Sequence, residues 1–173
     1  MRRLALSLSF LAALAAPAAA LAVHAAAGDG SLVVKHGSAP ASTPVVVLKV
    51  TGSVIGEVDG GGKIIIDSGP NGVPAEVTGS GLKTGLVTDR DTAQQWQSGV
   101  NPFKFRVVGG TNVWIAIYGG DVNLVALGKG WVRLQGSTDT PKTDGRYLLN
   151  DDDPKSLPGV QSDRLFFPAS YGG

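Results

Sequence analysis

Three aromatic side chains in the second half of the chain, Trp114, Tyr118 and Trp131, are the best candidates for ligand contacts. Alternate residues of a β-strand point to the same side, so Trp114 and Tyr118 would share one face of a strand. Large flat rings of this kind can stack on sugars or peptides, although they more often pack in or beside a hydrophobic core. The sequence therefore predicts a binding platform at these three residues, with core packing as the alternative.

Basic side chains accompany the rings in the same region. Lys104 and Arg106 alternate with apolar residues, and Arg133 lies between two apolar residues. This alternation is typical of a strand with one face in water. We interpret Lys104, Arg106 and Arg133 as a candidate basic strip, with an ordinary solubilising face as the alternative.

An acidic run near the C-terminus is the candidate metal site. Asp151 and Asp153 offer oxygens that suit calcium, and Asp144 would add a carboxylate from across a predicted hairpin. The spacing of an EF-hand loop is absent, and a solvated turn has the same composition as this run. The chain has no Cys, which excludes zinc sites built from thiolates. Calcium bound at Asp151 and Asp153 is one hypothesis, and a plain acidic turn is the other.

Groups that could carry out catalysis are few. A Ser-His-Asp site would have to use His36, and no serine lies in a Gly-x-Ser-x-Gly sequence. Glycoside hydrolysis needs two facing carboxyls, and among the acidic residues no pair stands out. We therefore expect a protein that is not an enzyme, with a carboxylate-dependent hydrolase as the alternative. The carboxyls available to such a hydrolase are those of Glu57, Asp59, Asp67, Glu76, Asp89, Asp91 and Asp121.

Residues 1–25 have the order of a secretory signal peptide. Two arginines precede an apolar segment over residues 4–16, and a proline and several small residues follow. The apolar segment is shorter than the roughly 20 residues that a membrane-spanning helix needs. Cleavage is expected after Ala25, with sites after residue 20 and as late as residue 27 as alternatives. The sequence thus predicts export, and a location outside the cell or in its envelope.

Composition limits the partners. The formal net charge of +1 becomes −1 when Arg2 and Arg3 are removed with the signal peptide. A nearly neutral chain lacks the positive charge typical of proteins that bind nucleic acid. Hydrophobic residues make up 43% of the chain, which is too many for a disordered protein. We expect one domain over residues 28–168 without disulfide bonds or a membrane span, and a frayed tail over residues 169–173.

Short apolar runs that end at glycines favour an all-β fold. The clearest series covers residues 103–136, where four runs rich in Val, Ile, Phe, Trp and Tyr are each followed by glycine. Short turns between such runs require antiparallel neighbours. The predicted fold class is therefore a β-sandwich or barrel-like sheet of short antiparallel strands with glycine turns. A short β-solenoid is the alternative, because glycines recur after each run.

Other segments are placed around this series. Residues 36–44 are rich in Pro, Ser and Ala and are expected to form a loop. Residues 88–98 are polar and favour a loop or a single helical turn, which Trp96 would attach to the body. Residues 113–118 and 122–127 are apolar on both faces, so they are expected at the centre of the sheet.

Several sequence patterns carry a resemblance to known proteins. In order, they are GDGSLVV, VIGEVDGGGKIIID, FRVVGGTNVWI, NLVALGKGWVRLQG and DGRYLL. With this order the chain resembles a group of secreted, glycine-rich all-β proteins of actinobacteria that have no assigned function. The resemblance implies an exported all-β domain and implies no particular activity. The chain is also loosely similar to the β-solenoid domains of adhesin heads.

Together these features predict an exported, non-enzymatic β-domain with a structural or binding role in the cell envelope or outside the cell. The expected partner is a cell-wall glycan or an envelope protein. A secreted carboxylate-dependent hydrolase and a calcium-stabilised β-module are the alternatives. Exposed edge strands would also allow the protein to associate with itself.

Overall fold

The computed structural model describes residues 28–70, 72, 74–88, 90–137, 145–150 and 152–172. The predicted signal peptide, Asp89, Asp144 and Asp151 lie outside these residues. The described chain forms one antiparallel sheet of 11 strands that does not close on itself, and a 3-10 helix over Ala169–Gly172 follows the last strand. The strands are β1 (Gly30–Gly37), β2 (Val46–Val58), β3 (Gly62–Asp67), β4 (Glu76–Gly79), β5 (Lys83–Val87), β6 (Arg90–Ser98), β7 (Phe103–Gly119), β8 (Val122–Leu134), β9 (Arg146–Leu149), β10 (Lys155–Ser156) and β11 (Leu165–Phe167).

The predicted all-β, sandwich-like fold is confirmed. The solenoid alternative is wrong, because paired strands throughout the described sheet run antiparallel. Three strands are longer than predicted: β2 and β8 have 13 residues each and β7 has 17. The glycines at positions 109, 110, 128 and 130 therefore lie inside strands, where glycine allows a bend or a close backbone approach.

Residues Arg90–Ser98 form strand β6, so the loop or helical turn predicted over residues 88–98 is wrong there. Strand β6 pairs with β3 on one side and with β5 on the other. Ile64 lies opposite Trp96, and this long-range pairing overrides the weak local preference of a polar sequence. Trp96 is 8% exposed and belongs to the hydrophobic core, so the predicted role of its side chain is confirmed.

Strand β2 lies at the centre of the sheet, with β7 on one side and β8 on the other. Residues 46–50 of β2 pair with the C-terminal parts of β7 and β8, and we call this part, with β3, β5, β6 and β11, half A. Residues 54–58 pair with the N-terminal parts of β7 and β8, and we call this part, with β1, β4, β9 and β10, half B. The predicted central position of residues 113–118 and 122–127 is confirmed.

Both halves contribute to one hydrophobic core. Leu48 and Ile115 of half A and Val54 and Phe105 of half B belong to the same cluster and are between 0% and 2% exposed. Within each long strand the same face of the sheet therefore points inward before and after the middle of the strand. The sheet folds over this face, and the opposite face of each half points away from the core.

The bend between the halves contains a cross-strand pair of glycines. Gly52 of β2 lies opposite Gly128 of β8, and the register of β2 with β7 shifts on both sides of Gly52. Their φ angles are 149° and 138°, values that residues with a side chain rarely adopt. A Cβ on Gly128 would also collide with the carbonyl oxygen of Thr51. The long strands thus change direction where only glycine fits.

Candidate functional site

The outward face of half A carries a row of large side chains in direct register. Lys49 of β2 is paired with Trp131 of β8 on one side and with Trp114 of β7 on the other. Directly paired residues of antiparallel strands point to the same face, so the lysine is flanked by two indole side chains. All three residues are partly exposed. The two tryptophans are separated by two strand spacings, or about 10 Å.

Two further cations lie over rings on this face. The Nζ atom of Lys63 is 4.2 Å from the ring centre of Tyr118, and the guanidinium carbon of Arg164 is 4.6 Å from the ring centre of Trp131. Both separations are within the range of a cation–π contact. Each ring therefore holds a positive charge in a fixed place, and the covered side of the ring is closed to stacking by a ligand.

The structure brings all three predicted ring residues to the same face. Trp114 and Tyr118 are four residues apart on β7, and Trp131 joins them through its pairing with Lys49. The sequence analysis missed Lys49, although a single lysine inside the run VVVLKV was a usable signal. We call this surface the aromatic–basic face; its members are Lys49, Lys63, Lys83, Trp114, Tyr118, Trp131, Arg133 and Arg164.

The middle of the aromatic–basic face is apolar. Val47 of β2 pairs with Ala116 of β7, which pairs with Ile65 of β3. Ala116 points outward and is nevertheless only 1% exposed, so larger neighbouring side chains cover it. Long basic side chains commonly lie with their aliphatic stems on such surface and their charges in water. The middle of the face is therefore closely packed, and charged groups lie around it.

Arg133 has a polar atom that lacks a partner. Its Nε atom is buried, and no hydrogen-bond acceptor for it is found among the described residues. Arg164 is close to Arg133 along the strands, because Arg164 precedes Leu165, which pairs with Val132, and its guanidinium lies over Trp131. The two guanidinium groups thus offer donors to an anion at one side of the face.

The predicted basic strip is not formed as one unit. Arg133 belongs to half A, whereas Lys104 and Arg106 are exposed on the part of β7 that belongs to half B. Their register partners are acidic: Lys104 pairs with Glu57, at 3.7 Å between Nζ and a carboxylate oxygen, and Arg106 pairs with Glu76. Lys104 and Arg106 therefore lie in a charge-balanced part of the sheet.

A polar cluster around His36 lies on half B. His36 was predicted to begin the loop over residues 36–44, but it lies in β1, which extends to Gly37. Its Nδ1 atom is 2.7 Å from a carboxylate oxygen of Asp121. Asn123 donates from Nδ2 to the same oxygen at 3.2 Å and accepts the His36 backbone N–H at 3.0 Å. The sequence analysis treated His36 as a solvated loop residue. The cluster was not predicted because its three residues are far apart in the chain. Among the described residues, no serine hydroxyl is found bonded to the His36 ring.

We expect the Asp121→Ala variant to lose about 1–2 kcal/mol of unfolding free energy. It loses two acceptor contacts, and it places alanine at a φ of 53°, where Asp and Asn are tolerated better. The ion pair itself contributes little because the His36 and Asp121 side chains are 73% and 45% exposed. Urea unfolding of Asp121→Ala and Asp121→Asn checks this. The asparagine variant keeps an acceptor and the φ preference, so an equal loss in both variants contradicts the assignment.

Two of the candidate carboxyls border one depression. Glu57 and Asp59 line a depression of about 220 Å³ together with Lys104. Glu57 is paired with Lys104, and Asp59 lies 3.5 Å from the side-chain nitrogen of Asn123. Both carboxyls come from the same end of β2, whereas glycoside hydrolysis needs carboxyls that flank the scissile bond. The hydrolase interpretation stays a hypothesis.

The candidate calcium site is described only in part. Asp153 is exposed, and Asp151 and Asp144 lie outside the described residues. Among the residues that the structure does describe, no group of three His, Asp or Glu side chains is placed to hold a metal ion. Calcium at Asp151 and Asp153 therefore stays a prediction.

Comparisons of the chain with protein families, curated proteins and solved structures reveal no match. The resemblance to secreted actinobacterial β-proteins therefore stays a hypothesis. In the described part of the chain, no helix has the length and apolar character needed to cross a membrane.

Proposed function

We propose that this protein is an exported, non-enzymatic β-domain that binds a component of the cell envelope or its surroundings through the aromatic–basic face. The observation that carries the proposal is the row in which Lys49 lies between Trp114 and Trp131. Export is inferred from the predicted signal peptide over residues 1–25. The expected partner is a cell-wall glycan or an envelope protein.

The chemistry of this face supports a binding role over a solubilising one. A solubilising face needs charge alone, whereas here partly exposed tryptophans and a tyrosine lie among the cations. Trp, Tyr and Arg are the residues that most often dominate the free energy of binding at protein interfaces. The residues also come from paired strands, which hold side chains in place better than loops do.

We expect the purified protein to be retained on insoluble envelope fractions, and Trp114→Ala and Lys49→Ala to reduce retention at least about tenfold. Each substitution removes one member of the central row, and a tenfold loss corresponds to about 1.4 kcal/mol. The measurement is co-sedimentation of each variant with washed envelopes over a range of protein concentrations. Circular dichroism identifies any variant whose fold has changed.

Lys104→Ala is the matched control, because Lys104 is an exposed lysine at the other end of β7, away from the aromatic–basic face. Its retention is expected to stay within about twofold of the parent protein. An equal loss of retention in Lys104→Ala and Lys49→Ala would place binding elsewhere. If the parent protein is not retained on any envelope fraction, the binding role is wrong.

A further inference from the structure

We propose that the ligand of the aromatic–basic face is a linear anionic polysaccharide that lies across the strands of half A. This inference rests on the proposed function and assigns the chemical class of its ligand. Positive charge is found at both sides of the face. On one side, Arg164 directly precedes β11, Arg133 lies on β8 and Lys49 lies on β2. On the other side, Lys63 lies on β3 and Lys83 lies on β5.

The cations extend over the full width of half A. From the β11 side to β5 the sheet has the order β11, β8, β2, β7, β3, β6 and β5, which is six strand spacings. At about 4.8 Å for each spacing, the distance is roughly 29 Å. Lys63 and Lys83 are both paired with Gln97, so they are two spacings apart on one face. A small anion would contact one part of this surface, whereas a polymer contacts all of it.

The charge on this face is not balanced by neighbouring acids. Among the described residues, Asp67 is an acidic residue of this face, and it is paired with Trp114. It accepts hydrogen bonds from the Thr92 hydroxyl at 2.6 Å and from the Gly69 N–H at 3.0 Å. The full chain has a formal net charge of +1, which becomes −1 when Arg2 and Arg3 are removed with the signal peptide. The excess of positive charge is therefore local to this face, and it complements a negatively charged ligand.

The spacing of the cations favours a sparsely charged polymer. Between the two cationic sides lie Val47, Ala116 and Ile65, which offer no partner to an anionic group. Double-stranded DNA carries a negative charge about every 1.7 Å, so several phosphates would lie on apolar surface without a partner. A polysaccharide with one carboxylate on each sugar carries its charges at wider spacing than DNA does, and it can place them on the cations at both sides of the face.

The rings also disfavour single-stranded nucleic acid. Proteins that bind it stack successive bases on free aromatic rings. On this face Lys63 already covers a side of Tyr118, and Arg164 covers a side of Trp131. Tyr118 and Trp131 hold these cations in position, and the structure therefore assigns recognition mainly to charge.

The test measures binding of the purified full chain to three polymers of similar length by isothermal titration calorimetry. Polygalacturonate supplies a carboxylate on each sugar, dextran is the neutral polysaccharide, and oligo-dT is the nucleic acid. We expect polygalacturonate to bind, with affinity falling at least about fivefold between roughly 50 mM and 300 mM NaCl. Affinity is also expected to rise with oligomer length until the chain covers roughly 29 Å.

Charge reversal at the two ends of the face locates the ligand. Lys83→Glu and Arg164→Glu change exposed residues. Each is expected to weaken the binding of long polygalacturonate at least about fivefold, with little change in the thermal unfolding temperature. Lys35→Glu is the matched control: it makes the same charge change on β1 of half B, where its register partner is Arg146. The affinity of Lys35→Glu for polygalacturonate is expected to stay within about twofold of that of the parent protein.

The outcomes separate this inference from the proposed function. Equal binding of dextran and polygalacturonate without salt dependence would leave the binding function in place and overturn the anionic ligand. Tighter binding of oligo-dT than of polygalacturonate would overturn the polysaccharide, and an equal effect of Lys35→Glu and Lys83→Glu would overturn the location. Retention on envelopes without binding to polygalacturonate would also refute the inference while the proposed function stands.

Discussion

The Gly128→Ala variant is expected to lose roughly 2–6 kcal/mol of unfolding free energy. A Cβ at this position meets the carbonyl oxygen of Thr51 and lies 2.9 Å from the Cα of Gly52, so the backbone of β2 would have to move. Overpacking typically costs about 1–3 kcal/mol, and a residue with a side chain held at an unfavourable φ adds about 1–3 kcal/mol. Gly128 has a φ of 138°, so both costs apply.

Urea unfolding followed by tryptophan fluorescence measures this loss. Gly85→Ala is the control, because Gly85 is also in a strand and nothing lies within 4 Å of its ideal Cβ position. That variant is expected to stay within about 0.5 kcal/mol of the parent protein. If Gly128→Ala is as stable as Gly85→Ala, the bend does not depend on glycine, and the account of how half A and half B enclose one core is wrong.

The Phe105→Ala variant is expected to lose about 3–5 kcal/mol of unfolding free energy. Phe105 is 2% exposed and belongs to the core that both halves share. Its ring packs over Gly56 of the neighbouring strand, since the end of the ring lies 2.6 Å from where a Cβ on that glycine would be. Truncation removes buried apolar surface and leaves a cavity beside backbone that cannot move in to fill it.

Two further variants serve as comparisons for Phe105→Ala. Phe105→Leu keeps most of the volume, so it is expected to recover more than half of the loss. Leu86→Ala truncates a side chain that is 75% exposed and is expected to change stability by less than about 0.5 kcal/mol. Equal effects of Phe105→Ala and Leu86→Ala on the urea midpoint would show that half B does not contribute to the core.

These stability variants and the binding variants act on opposite faces of the same strands. Phe105 and Gly128 position the inward face and the bend, so their substitution lowers stability first and binding only through loss of the fold. Lys83 and Arg164 are exposed residues of the outward face, and Arg164 makes its ring contact there with Trp131, so their substitution is expected to lower binding much more than stability. If an outward-face variant lost both stability and binding, the two faces of the sheet would be coupled.

The alternation of side chains along a β-strand was enough to predict part of the candidate site. Trp114 and Tyr118 were expected on one face because side chains alternate along a strand, and the structure places them so. The position of Trp131 beside them was not predictable, because it depends on the register of β2 with β8. The same holds for Lys49, whose two flanking tryptophans come from different strands.

Two errors have the same physical origin. The glycines inside β7 and β8 were predicted to end strands, because local sequence cannot distinguish a turn from a bend that neighbouring strands support. Residues 88–98 were predicted to be a loop or helical turn, because their polar sequence has little preference of its own until β3 and β5 pair with it. In both cases contacts from distant parts of the chain decided the conformation.

The sequence by itself determined the all-β class, the antiparallel pairing and the central position of residues 113–118 and 122–127. Local properties control these features: side-chain shape, alternation and short connections. Tertiary structure alone decided that Arg133 lies with Arg164 and Lys49 instead of with Lys104 and Arg106. That choice depends on the bend at Gly52 and Gly128 and on strand register, which arise only when the whole sheet packs around one core.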